Sequence, residues 1–154
     1  LKIAKRLEKE SILISKEIGK ATFYRINMGS DYVIDYVRFL LKREAEQALP
    51  YVKKWISELR KINNADIIIL FGSVLLKQKE ARDIDVLLIN VKESFSRLKD
   101  EIEQINKFSD KMIHPMYQTK EDFKENLDKG DKPFLSAIKG IIVKGEDVIL
   151  ELLK

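Results

Sequence analysis

The sequence predicts a small α/β protein of the α+β kind, a mixed sheet flanked by helices. Three observations predict it. Residues 66–71 end in the β-branched apolar run "IIILF", of the kind buried on both faces of a sheet. A second apolar run, Ile84 to Val91, follows a Gly72-Ser73 break and a short helical stretch at 74–80. Residues 93–107, 120–127 and 133–139 then carry apolar side chains at helical spacing between further strand-like segments.

In chain order, residues 2–10 read as a helix with Ile3, Ala4 and Leu7 on one face. "ILISKEIGKATFYRI" gives two alternating runs around Glu17-Ile18-Gly19-Lys20, a β-hairpin in which Gly19 is free to adopt positive φ. Asn27 to Ser30 is a break, and Ser30 is placed to cap a long helix over 31–48. Its apolar positions are Val33, Ile34, Val37, Leu40, Leu41 and Ala45, more than a small domain covers, which predicts pairing with a second copy as a homodimer. Pro50 ends or kinks this helix. A second helix carries Val52, Trp55, Ile56, Leu59 and Ile62, and "INNAD" is a turn. Beyond the 93–107 helix, "KMIHPMYQT" reads as a short strand, with Met112 and Met116 as core candidates. "GIIVKGEDVILELLK" closes with strand, turn and helix. The predicted organisation is residues 1–29 as a helix and hairpin, 30–62 as linking helices, and 63–154 as the sheet domain.

The chain has 154 residues, 45% of them apolar, enough for one packed core with a small appendage. It has no cysteine, so no disulfide framework, and a reducing compartment is expected. Richness in Lys and Glu leans towards a thermophilic source. No apolar run approaches the ~20 residues that cross a bilayer, so a soluble, cytoplasmic protein without a membrane partner is expected. The chain opens on Leu rather than Met, which suggests trimming at its beginning. The net charge of +4 sits in the first 25 residues, where Lys2, Lys5, Arg6, Lys9, Lys16, Lys20 and Arg25 face Glu8, Glu10 and Glu17. Such a segment suits a polyanion, although a solvated surface carries the same pattern.

Asp83 and Asp85 pose the chemical question. On a strand, side chains two apart leave the same face, with Cα atoms about 6.5 Å apart. Carboxylates that close repel each other, and burial adds a desolvation penalty. A pair of Mg²⁺ ions about 3.5–4 Å apart removes both problems and is the usual arrangement for phosphoryl displacement. Gly72-Ser73, between strand and helix, supplies backbone N–H groups and a bend that admits a phosphate; Ser73 adds a hydroxyl and can cap the helix.

"Leu70-Phe71-Gly72-Ser73", a spacer of roughly ten residues and "Asp83-Ile84-Asp85-Val86" together resemble the minimal nucleotidyltransferase domain of the DNA polymerase β-like superfamily. The likeness covers about residues 52–145. It implies a nucleotidyltransferase-like fold, two Mg²⁺ ions at the catalytic Asp83 and Asp85, and nucleoside triphosphate (ATP among them) at Gly72 and Ser73. It also implies transfer of a nucleoside monophosphate to an acceptor hydroxyl, in some members a tyrosine of a partner protein. The family's helix after the Gly-Ser pair carries an Arg and a Gly; "VLLKQKEAR" leaves Lys77, Lys79 and Arg82 to meet the triphosphate. Where the family has a third carboxylate on a later strand, this chain places His114, a poor Mg²⁺ ligand but a competent base. A half-exposed strand histidine is the simpler reading, and Asp110 takes that place only if the strand register differs.

The first residues, "IAKRLEKESILISKEIGKATFYRI", resemble the end of a recognition helix and the two-stranded wing of a winged-helix DNA-binding domain. That likeness implies DNA contacts from Lys2, Lys5, Arg6, Lys16, Lys20 and Arg25, and an alternative identity as a transcriptional regulator whose transferase domain has degenerated. "GKAT" at 19–22 is no P-loop, because the motif's first glycine falls on Ile14 and Ala21 replaces Ser/Thr.

Overall fold

The computed structural model describes residues 2–154. The chain divides into two compact units, one running to Leu40 and the other from Leu41 to Leu153.

In the first unit, helix α1 (Lys2–Lys9) leads into strands β1 (Leu13–Ile18) and β2 (Ala21–Ile26). The strands pair antiparallel with Ile18 opposite Ala21, so the chain reverses over Gly19-Lys20. Gly19 takes φ 62° there, as the hairpin reading requires. The Ser15 hydroxyl donates to the Glu8 carboxylate, tying β1 to α1. Ile12, Val33 and Ile34 are buried.

Helix α2 (Asp31–Glu46) starts in this unit and runs into the second. Val33, Ile34 and Ala45 are buried as its periodicity predicts, but Leu40 is exposed. Tyr32, Tyr36 and Phe39 are also exposed and fall at helical spacing, forming an outward apolar stripe. The helix ends at Glu46, ahead of Pro50. Pro50 instead opens α3 (Pro50–Leu59), where its missing N–H costs nothing.

The second unit continues with β3 (Ile67–Phe71), α4 (Val74–Lys77), β4 (Ile84–Ile89), α5 (Phe95–Phe108) and β5 (Ile113–Gln118). It ends with α6 (Lys120–Lys129), α7 (Lys132–Ala137), β6 (Ile141–Lys144) and α8 (Glu146–Leu152). The four-stranded sheet has the order β5-β4-β3-β6. β3 pairs antiparallel with β4 and with β6, whereas β4 and β5 are parallel and are joined through α5, as parallel neighbours require. The result is the mixed α+β fold, two small sheets with flanking helices, that the sequence predicts.

β3 lies inside the sheet with Ile67 to Leu70 buried, which explains its uninterrupted apolar run. The α3 side chains Val52, Trp55, Ile56 and Leu59 pack in one core with Ile68, Leu70, Val86 and Leu88. Trp55 Nε1 is the one buried side-chain polar atom among the described residues without a hydrogen-bond partner. The "INNAD" turn before β3 is clamped by the Glu101 carboxylate, which accepts from the N–H groups of Asn63 (3.1 Å) and Asn64 (3.1 Å). Burial alone would raise the Glu101 pKa, but these hydrogen bonds outweigh it and hold the carboxyl below its usual value.

Met112 departs from its expected place. It is 60% exposed, because it precedes β5 and contributes only its carbonyl, which accepts from Ile84 N at 2.9 Å. Met116 is half-buried. Among the described residues no helix is long and apolar enough to cross a membrane.

Candidate metal centre

The sheet brings three chemically active side chains to one end. Phe71, the last residue of β3, lies opposite Asp85 on β4, and Asp85 lies beside His114 on parallel β5. Asp83 stands just before β4. Ligand atoms of Asp83, Asp85 and His114 all lie within 4.8 Å of one another. His114 Nδ1 is 3.2 Å from Asp85 Oδ1, with the imidazole 75% and the carboxylate 24% exposed.

Gly72 completes this arrangement. It takes φ 79°, and an added β-carbon would stand 2.1 Å from Asp85 Oδ2. The Gly-Ser bend therefore touches the carboxylate directly, and any side chain at position 72 would fill the space that carboxylate occupies. The donor set, two carboxylates and one imidazole within a few ångströms, suits one divalent cation.

Other candidates fall differently. Ser73 does not cap α4 through its hydroxyl. Its own backbone is helical (φ −65°, ψ −25°), whereas a capping residue needs extended geometry to reach the next N–H groups. Its carbonyl is used instead, accepting from Lys77 N at 2.8 Å. Because α4 is a single turn of 4 residues, it carries little helix dipole at its start. Lys77, Lys79 and Arg82 are exposed on the segment between Ser73 and Asp83. Asp110 lies outside the cluster. It pairs with Lys54 at 2.9 Å, and that hydrogen bond holds its carboxyl below the usual range.

In the N-terminal unit, Lys2, Lys5, Arg6, Lys16, Lys20 and Arg25 are all exposed. Arg6 pairs with Glu10 at 3.6 Å. The register sets Lys16 opposite Phe23 and Arg25 opposite Ile14, which puts both cations on one face of the hairpin.

One feature was not singled out from sequence. A cavity of about 300 Å³ lies beyond the other end of β4, lined by Asn90, Lys92, Phe95 and Tyr117 among others. Asn90 is five residues past Asp85, roughly 16 Å along an extended chain, so this cavity is separate from the carboxylate cluster. Its parts come from the segment after β4, from α5 and β5 and from the start of α6, and no local motif announces it.

Comparison with protein-family models, with curated proteins and with solved structures gave no match for this chain.

Proposed function

We propose that this chain is a divalent-metal-dependent nucleotidyltransferase-like protein, which moves a nucleoside monophosphate from a nucleoside triphosphate to an acceptor hydroxyl. One observation carries the reading: Asp83, Asp85 and His114 converge within 4.8 Å, and Asp85 rests against Gly72 of the Gly-Ser bend. Two neighbouring carboxylates, one just before β4 and one on it, beside a glycine bend form the minimum such chemistry needs.

Asp83 and Asp85 hold the cation. When bound, it neutralises phosphate charge and acidifies the attacking hydroxyl. Gly72 keeps the bend open to the triphosphate, Ser73 offers its hydroxyl, and Lys77 and Arg82 are the nearest cations in sequence to offset the remaining charge. The acceptor oxygen bonds to the α-phosphorus as the α–β bridging bond breaks; pyrophosphate leaves and the hydroxyl proton passes to solvent. The test is calorimetry with ATP and MgCl₂ or MnCl₂, followed by transfer of label from α-³²P ATP to protein or RNA. Binding should need the metal and disappear in Asp83→Asn. Equal binding by wild type and Asp83→Asn would rule the reading out.

A second reading is favoured by the N-terminal unit, where seven exposed cations, Lys9 among them, lie on a helix and a two-stranded antiparallel hairpin. It makes the chain part of a DNA-binding regulator. Here a gel shift should weaken steeply with salt, fall in a Lys16→Ala/Arg25→Ala double variant and survive Asp83→Asn.

A further inference from the structure

We infer that the cation site is built for a first-row transition ion such as Mn²⁺ rather than for Mg²⁺, with His114 as a ligand. The inference rests on the reading that a divalent ion sits on Asp83 and Asp85, and it adds which ion and by which third side chain.

The geometry points to a ligand role for His114. Its Nδ1 lies 3.2 Å from Asp85 Oδ1. Cis ligands of an octahedral ion with bonds of about 2.1–2.2 Å stand about 3.0 Å apart, so the two atoms are already spaced as neighbours on one ion. The parallel register sets Asp85 directly beside His114, so both side chains leave the sheet on the same face. The Gly72 approach confines the other Asp85 oxygen, since Oδ2 faces the bend and Oδ1 faces the imidazole.

The chemistry of that donor set then chooses the ion. Mg²⁺ is hard, holds its waters tightly and prefers oxygen; an imidazole nitrogen gives it little. A third carboxylate at position 114 would bring the protein's charge at the ion to −3. Neutral imidazole leaves −2, enough to balance one divalent ion. Mn²⁺ shares the preference for carboxylate oxygen but, as a first-row transition ion, tolerates an imidazole nitrogen better than Mg²⁺ does. Replacing a carboxylate by imidazole therefore lowers the site's attraction for Mg²⁺ and spares Mn²⁺.

The experiment uses the whole chain with MnCl₂ or MgCl₂ alone, without nucleotide. Titration is followed by calorimetry and by loss of the free Mn²⁺ paramagnetic signal. Wild type should bind Mn²⁺ more tightly than Mg²⁺. Electron spin-echo spectra of the Mn²⁺ form should show ¹⁴N coupling, and His114→Ala should abolish it. The same variant should weaken Mn²⁺ about tenfold or more while leaving Mg²⁺ unchanged within error. His114→Asp should narrow or reverse the preference. Since His114 is mostly exposed, its variants are expected to fold, and far-ultraviolet dichroism checks that. Asp110→Asn should change neither affinity. Mn²⁺ bound no more tightly than Mg²⁺, or ¹⁴N coupling surviving in His114→Ala, overturns the inference. Failure of nucleotide turnover with Mn²⁺ selectivity intact sinks only the transfer reaction.

Discussion

The carboxylate of Asp85 rests against the α-carbon of Gly72, so closely that a β-carbon on residue 72 would stand 2.1 Å from Oδ2 and 3.0 Å from Cγ. Thirteen positions separate the two residues in the chain, and the antiparallel pairing of β3 with β4 closes that gap. A glycine needed for its φ of 79° is thus also needed for its missing side chain.

Gly72→Ala should therefore fail on two counts. The left-handed backbone costs about 1–2 kcal/mol for any residue with a β-carbon, and the clash displaces Asp85. Urea unfolding should show a loss larger than the backbone contribution alone, and Mn²⁺ affinity should fall. In an Asp85→Ala background the same substitution should cost less, because the carboxylate is gone and only the Asp85 β-carbon position, 3.1 Å away, stays close. A double-mutant cycle with no coupling energy would show that the two residues do not press on each other in solution.

Asp83→Asn should have opposite effects with and without metal. In the metal-free protein it removes one of two neighbouring carboxylates and relieves their repulsion, so its melting temperature should equal or slightly exceed that of wild type. Saturating MnCl₂ should stabilise wild type by about 2.7 kcal/mol at a hundredfold excess over Kd, and Asp83→Asn much less. Calorimetric melts at both conditions decide it. A metal-induced rise of the same size in both proteins would exclude Asp83 as a ligand.

The Glu101 clamp on the turn before β3 makes stability depend on pH. Its carboxyl is held below the usual 4.5 in the folded chain by the Asn63 and Asn64 N–H groups, against the opposing effect of burial. The contribution is fully present above the unfolded pKa and is lost as pH falls through the lower, folded one. Glu101→Gln should be less stable than wild type at pH 7, and the difference should shrink below about pH 4.5. Urea midpoints from pH 7 to pH 3 test this; a pH-independent difference would show that charge plays no part.

Helix α6 opens with a reciprocal cap: Thr119 Oγ1 accepts from Asp122 N at 3.1 Å, and Asp122 Oδ2 accepts from Thr119 N at 2.9 Å. The Thr119 N–H and the Thr119 hydroxyl, both donating to that carboxylate, hold it below its ordinary value. Thr119→Ala should cost about 1 kcal/mol in urea unfolding at pH 7. The penalty should decline in acid as Asp122 is protonated. An unchanged midpoint at pH 7 would mean that solvent caps the helix equally well.

Most elements were legible because their signals are local. The hairpin turn at Gly19, the apolar spacing of α3 and the uninterrupted run of β3 each need only a few neighbouring residues. The Thr119-x-x-Asp122 cap is local too and was readable, though the sequence reading did not single it out. Ser73 was misread as a side-chain cap because residue type does not report φ and ψ. Met112 was misplaced because a methionine one residue outside a strand looks, in sequence, like one inside it. The exposed stripe of Tyr32, Tyr36 and Phe39 was missed because the neighbouring apolar positions of α2 satisfied helical spacing first.

The amino-acid order alone determined the fold class, the Gly72-Ser73 bend and the spacing of Asp83 from Asp85, since all of these rest on contiguous residues and backbone periodicity. The tertiary structure decided what meets them. Only the parallel register of β4 and β5, set across the α5 crossover, places His114 Nδ1 beside Asp85 Oδ1, and only the β3–β4 ladder lays that carboxylate on Gly72. Strand pairing is a long-range choice, and a one-residue slip in either ladder would send these side chains to opposite faces.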